Sequence, residues 1–199
     1  MTKKKFSSFK KAESFSLLGQ SDLISWTLEA APVTPSAFFQ ERLERLRLRF
    51  DLESYEESKK LLIDALCEEA IGELEQLKIW KGASLDSDRA AGYVDYLIAE
   101  RKRFLSPPLL CIIEAKKDDF EQGLAQCLAE LYACRWTNAQ ASRQISVYGI
   151  VTNGTGWQFY RLDSDGAIYE TPLYGIGDLA LLLGRIRQVF TMCEANLQI

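Results

Sequence analysis

The chain has 199 residues, 47% of them apolar and 26% charged, which suits one domain with its own core and gives no reason to expect a disordered chain. A formal charge of −4 argues against a surface coated in positive charge for non-specific nucleic-acid binding, and leaves room only for local basic grooves. The absence of histidine excludes Ser-His-Asp and Cys-His catalysis, histidine bases and histidine zinc ligands, while the five cysteines form no CxxC pair and read as buried free thiols.

Residues 1–52 read as an N-terminal arm and a helix. The start, Met1-Thr-Lys-Lys-Lys-Phe, is positive but has no apolar run behind it, so no secretory signal is expected. No stretch approaches the roughly 20 apolar residues of a membrane span, and the expectation is a cytoplasmic protein with no membrane contact. Periodicity is weak as far as Ala31-Pro-Val-Thr-Pro, which predicts a loosely packed arm. A short helix then opens at Pro35-Ser36 and carries Arg42, Arg45, Arg47 and Arg49.

From Ser54 to about Lys78 the apolar residues Leu61, Leu62, Ala65, Leu66, Ala70, Ile71 and Leu74 recur at helical spacing, and Ser54 with Glu57 gives a capping-box signature. The segment Ala91-Gly-Tyr-Val-Asp-Tyr-Leu-Ile-Ala reads as a strand. Leu109-Leu-Cys-Ile-Ile-Glu-Ala-Lys is a nearly continuous apolar run, the pattern of a strand buried on both faces. Helical spacing returns from Asp118 to about Arg135. Ile145–Val151 and Trp157–Leu162 read as strands joined through Thr152-Asn-Gly-Thr-Gly, and a helix over about 177–195 closes the chain. The expected fold is therefore α/β, a mixed sheet flanked by helices.

Three charged residues stand where a packed strand normally avoids them. Asp95 interrupts one strand, and Glu114 and Lys116 end the buried run, pointing to the same face because side chains alternate along a strand. Pairing of the two strands would bring both carboxylates and the ammonium together. Two carboxylates suit Mg²⁺, with Mn²⁺ as a substitute, and a neighbouring lysine can orient or deprotonate a water or hold negative charge. The plain alternative is an ion pair at a strand end, with Asp95 capping a turn.

In order, Glu53-Ser-Tyr-Glu-Glu, Gly92-Tyr-Val-Asp-Tyr, Ile112-Ile-Glu-Ala-Lys-Lys, Gly123-Leu-Ala-Gln-Cys and Tyr148-Gly-Ile-Val-Thr-Asn-Gly resemble the PD-(D/E)XK nuclease superfamily. The likeness covers roughly residues 53–163 and is greatest to the N-terminal nuclease-type domain of type I restriction enzyme motor subunits. It implies a restriction-endonuclease-like αβββαβ core within residues 53–199, with the N-terminal helical arm and C-terminal helix added. It implies a metal-dependent nuclease, a DNA endonuclease by preference over an RNA enzyme, acting alone or as a homodimer. Asp95, Glu114 and Glu57 would hold the metal, Lys116 would act at the attacking water, and Gln126 would lie near the site. Lys116, Lys117 and an arginine patch would meet the nucleic-acid backbone. The sequence departs from the pattern at Val94, where a proline is usual, and at Glu130, where the restriction-enzyme relatives place tyrosine. The rival expectation is an inactive module of the same fold that binds nucleic acid or a partner protein.

Overall fold

A computed structural model describes residues 3–116 and 119–199; Lys117, expected at the nucleic-acid backbone, and Asp118, expected to start a helix, lie outside them. In chain order the main elements are β1 (Lys4–Lys5), α1 (Lys11–Leu18), β2 (Ile24–Ser25), α2 (Ala37–Arg49), α3 (Glu56–Ile71), β3 (Leu77–Asp86), β4 (Ala90–Glu100) and β5 (Leu109–Ala115). They continue with α4 (Phe120–Gln140), β6 (Val147–Thr152), β7 (Gly156–Leu162), β8 (Ile168–Glu170), β9 (Tyr174–Gly175) and α5 (Leu179–Ala195). The fold is a mixed α/β sandwich, as the alternation of periods predicted.

The strands form one sheet in the order β1-β4-β5-β6-β7-β8-β2, with β3 paired to β4 and β9 to β7. β3, β4 and β5 are antiparallel neighbours, β5 and β6 are parallel, and β6 and β7 are antiparallel. Every residue of β5 and β6 is buried, which is why their sequences read as continuous apolar runs. On one face Leu62, Ile63 and Leu66 of α3 pack with Leu182, Ile186 and Phe190 of α5 against the sheet. On the other, Leu124, Leu128 and Leu131 of α4 join Phe6, Phe15 and Leu18 of the arm. Two apolar layers therefore cover the sheet, and α4 lies between the sheet and α1.

The arm is not loosely packed. β1 pairs with β4, β2 pairs with β8, and the Ser14 hydroxyl donates to the Ala125 carbonyl of α4 at 2.6 Å. Its apolar residues are spread over short elements, so no long period announces them.

Two other elements differ from expectation. α3 stops at Ile71, where Gly72 turns with φ +41°, and the residues beyond it start β3 instead of continuing the helix to Lys78. The Ser54–Glu57 capping box does not form. Instead the Asp51 carboxylate accepts from the backbone N–H groups of Glu53 and Ser54, ahead of a helix whose N-cap is Tyr55. Among the described residues no helix is long and apolar enough to cross a membrane. All five cysteines are buried and free.

Candidate active site

The site lies where the sheet opens between β4 and β5. Their pairing runs Leu97↔Ile112 and Tyr96↔Ile113; one step further, Asp95 stands across from Glu114, beyond the last paired residues. There the Asp95 carboxylate takes the place of a backbone acceptor, its Oδ2 receiving the Ala115 N–H at 2.9 Å. On the other edge of β4 the β3 ladder also skips Asp95, because Gly82 opposite it has φ +60°, a backbone state open to glycine at little cost. Both ladders of β4 are thus interrupted at Asp95, and on the β5 side a carboxylate fills the opening.

Glu114 and Lys116 share a face, as the alternation predicted. The Lys116 Nζ lies 2.7 Å from Glu114 Oε1 and donates to Gln126 Oε1 at 3.0 Å. Gln126 Nε2 in turn donates to Glu130 Oε1 at 2.9 Å. The direction of this chain is chemically forced: an ammonium has only donors, so the amide presents its oxygen to Lys116 and its NH₂ to the carboxyl. Gly123 makes the approach possible, since a Cβ there would meet Val151 Cγ1 at 2.6 Å and the Lys116 stem at 3.1 Å.

Glu114 is only 2% exposed, and among the described residues its Oε2 has no hydrogen-bond partner. Burial first, and then the nearby Asp95 charge, push its pKa up to about 7. Glu130, fully buried with an unpartnered Oε2 of its own, is held well above the carboxylate range by burial and by Glu114. Burial alone would lower the Lys116 pKa, but Glu114 outweighs it and the net shift is upward. Lys116 is therefore an ammonium at neutral pH. That favours orienting a water and holding negative charge over removing a proton.

From the opposite face, α3 brings Lys60. Its Nζ lies 3.0 Å from Asp95 Oδ1, 2.7 Å from Glu57 and 3.8 Å from Glu56. Glu57, expected among the ligands, has a side chain 84% exposed and reaches the cluster only through Lys60. Glu56 is the better placed glutamate: its charge acts on both Glu114 and Lys116. The sequence carried a signal for it. The buried stripe of α3 runs through Lys59, Leu62, Ile63 and Leu66, and Glu56 continues it one turn back, whereas Glu57 aligns with Leu61. Glu130 was noticed only as a departure from a pattern; its role in holding Gln126 needed tertiary contacts.

Gln126 is 6% exposed, inside the site and not on a solvated face. Gln122 instead donates to the arm carbonyls of Ser7 and Phe9. The Thr152–Gly156 turn is a closed structural connection. The N–H groups of Asn153, Gly154, Thr155 and Gly156 are all taken by partners within the turn, leaving none for a phosphate. Trp157 is fully buried, a core residue, and its indole N–H donates to the Gly154 carbonyl.

Among the described residues no group of three or more His, Cys, Asp or Glu side chains is arranged to hold a metal ion. Two features nevertheless suit a hard divalent cation bound with retained waters. Glu114 offers a buried oxygen with no other partner, and Asp95 already holds a cation, the Lys60 ammonium. No protein-family model matches the chain, and no curated protein matches its sequence.

Proposed function

We propose that the chain is a metal-dependent nuclease of the PD-(D/E)XK type, hydrolysing phosphodiester bonds at the opening between β4 and β5. The observation that carries this reading is Glu114. An orphaned carboxylate oxygen in the interior is destabilising by roughly 1–3 kcal/mol, and a purely structural strand end gains nothing from it. The order α3-β3-β4-β5-α4-β6, with β5 and β6 parallel, agrees with the αβββαβ core that the sequence resemblance implies.

Asp95 and Glu114 would hold Mg²⁺ or Mn²⁺, with Glu56 rather than Glu57 nearby on α3. When bound, the ion supplies Lewis acidity toward the phosphodiester and a source of hydroxide at neutral pH. Lys116, held between Glu114 and Gln126, directs a water and places its charge where negative charge builds on the phosphoryl oxygens. Gln126 and Glu130 limit the sweep of Lys116. Asp95, through its bond to Ala115, fixes the backbone next to Glu114. DNA is the preferred substrate on the resemblance.

One observation favours a second reading, an inactive module that binds nucleic acid without cutting it: Lys60 already neutralises Asp95. The experiment is cleavage of supercoiled plasmid and single-stranded DNA with Mg²⁺ or Mn²⁺, with calorimetry for metal binding. Glu114→Gln and Lys116→Met are the informative variants, because neither residue supports backbone as Asp95 does. Metal-dependent cleavage lost in both supports the nuclease. No cleavage and no metal binding by the wild type leaves the inactive module.

A further inference from the structure

β3 occupies one edge of β4 over residues 91–100, so β1, which pairs with Ala90 and Ala91, lies on the other edge, in line with β5. On that edge β5 begins pairing only at Tyr96. Among the described residues, 92–95 of β4 thus have no strand partner there, between the arm and the catalytic cluster. A cavity of about 340 Å³ opens beside this gap, lined by Lys5, Phe6, Ser7, Gly92, Tyr93 and Gln126. Gln126 joins it to the site, since its amide oxygen accepts from Lys116.

Two residues at this cavity have no structural task that explains them. Of the three consecutive lysines Lys3–Lys5, Lys3 pairs with Asp86 and Lys4 with Glu13, while Lys5 has no carboxylate partner among the described residues. Tyr93 is 75% exposed. An aromatic face and a free cation at one cavity, one side-chain amide away from the Lys116 ammonium, are the two elements that hold an unpaired nucleotide: a stacking surface for its base and a charge for its phosphate.

We propose that this cavity is the subsite for the nucleotide beside the scissile phosphate, with Lys5 on a backbone phosphate and Tyr93 against the base, so that the enzyme acts on single-stranded nucleic acid. The inference rests on the nuclease reading for the word scissile, but binding tests it separately. A duplex keeps its bases stacked on one another and offers Tyr93 no free face. The N-terminal arm is then one wall of the substrate channel and not a bystander to the fold.

The test is fluorescence anisotropy of the full chain with a labelled twelve-nucleotide oligo-dT and with a labelled duplex of the same length. Expected is preference for the single strand. Tyr93→Ala should weaken single-strand binding about tenfold, with most of the affinity restored by Tyr93→Phe. Lys5→Ala should weaken it at low salt and reduce the log–log salt slope by about 0.7, one phosphate contact on a single strand. Lys11→Ala, the same charge change on the exposed start of α1, should leave binding as it is. Tyr93→Ala and Lys5→Ala variants that bind like Lys11→Ala, a preference for duplex, or no binding of either probe would overturn the subsite. If cleavage is absent while these binding effects hold, the nuclease reading fails and the subsite stands. If cleavage is present and both variants cut and bind normally, the subsite alone fails.

Discussion

Replacing Glu130 with leucine should make the protein more stable at alkaline pH and slower at its chemistry. Glu130 is 0% exposed, its Oε2 has no partner among the described residues, and burial and Glu114 hold its pKa well above the 4.5 of an ordinary glutamate. With the folded pKa raised, the native state binds the proton more tightly than the unfolded chain. The group's contribution to stability is then complete below about pH 4.5 and is lost as pH rises toward the folded pKa. The loss runs at about 1.4 kcal/mol for each pH unit in which the native acid is protonated and the unfolded one is not. Leucine removes this dependence. Its own cost is the Gln126–Glu130 hydrogen bond, about 1 kcal/mol if the freed amide turns toward the cavity it already lines. Urea melts at pH 5 and pH 8 should therefore show the variant close to wild type at pH 5, gaining on it by up to about 1.4 kcal/mol per pH unit above that, and more stable than it at pH 8. Cleavage should fall about tenfold in kcat with little change in KM, because Lys116 loses the amide that steadies it. A variant less stable than wild type at pH 8, or one with an unaltered pH slope, would refute the reasoning.

Glu56→Gln should reduce metal affinity and cleavage at least tenfold while Glu57→Gln stays within about twofold, read by calorimetry and cleavage of single-stranded DNA. Activity should rise with pH through an apparent pKa near 7 as Glu114 gives up its proton, and a pH–rate profile with no inflection between 6 and 8 would count against that assignment. Lys60→Met removes the ammonium that occupies Asp95, so Mg²⁺ should bind several-fold more tightly by calorimetry; weaker binding would mean Lys60 organises the site and does not compete for it. Gly184→Ala should destabilise by at least about 2 kcal/mol in urea melts, since a Cβ there would strike the Ala31 carbonyl oxygen.

Much of this architecture was legible because its centre is buried. β5 and β6 announce themselves as unbroken apolar runs, and the charges at Asp95, Glu114 and Lys116 stand out against them. The parts that escaped lie at the margins. β3 is an edge strand whose burial is mixed, with Lys78, Lys81 and Gly82 breaking any clean alternation, and Leu74 and Leu77 happen to extend the helical spacing of α3. Gly72 was the available stop signal. The arm could not be read as packed because Phe6, Phe9 and Phe15 enter the core singly. The choice between Glu56 and Glu57 turned on which stripe of α3 faces the sheet, and that is set by Lys59 and Ile63, one of which is a lysine. Glu130 and Lys60 are visible only through contacts between elements.

The two carboxylates of the site differ in what the protein would lose without them. Asp95 closes a backbone N–H at the end of the β4–β5 ladder, so a descendant that abandoned catalysis would still need an acceptor there. Glu114 pairs with a lysine and carries an interior oxygen that no neighbour among the described residues satisfies. Once freed from chemistry, that position would drift early toward glutamine or an aliphatic residue and the protein would gain stability by it. Among relatives of this chain, the side chain at 114 would therefore distinguish working enzymes from retired ones, and an aspartate at 95 would say only that the sheet still opens in the same place.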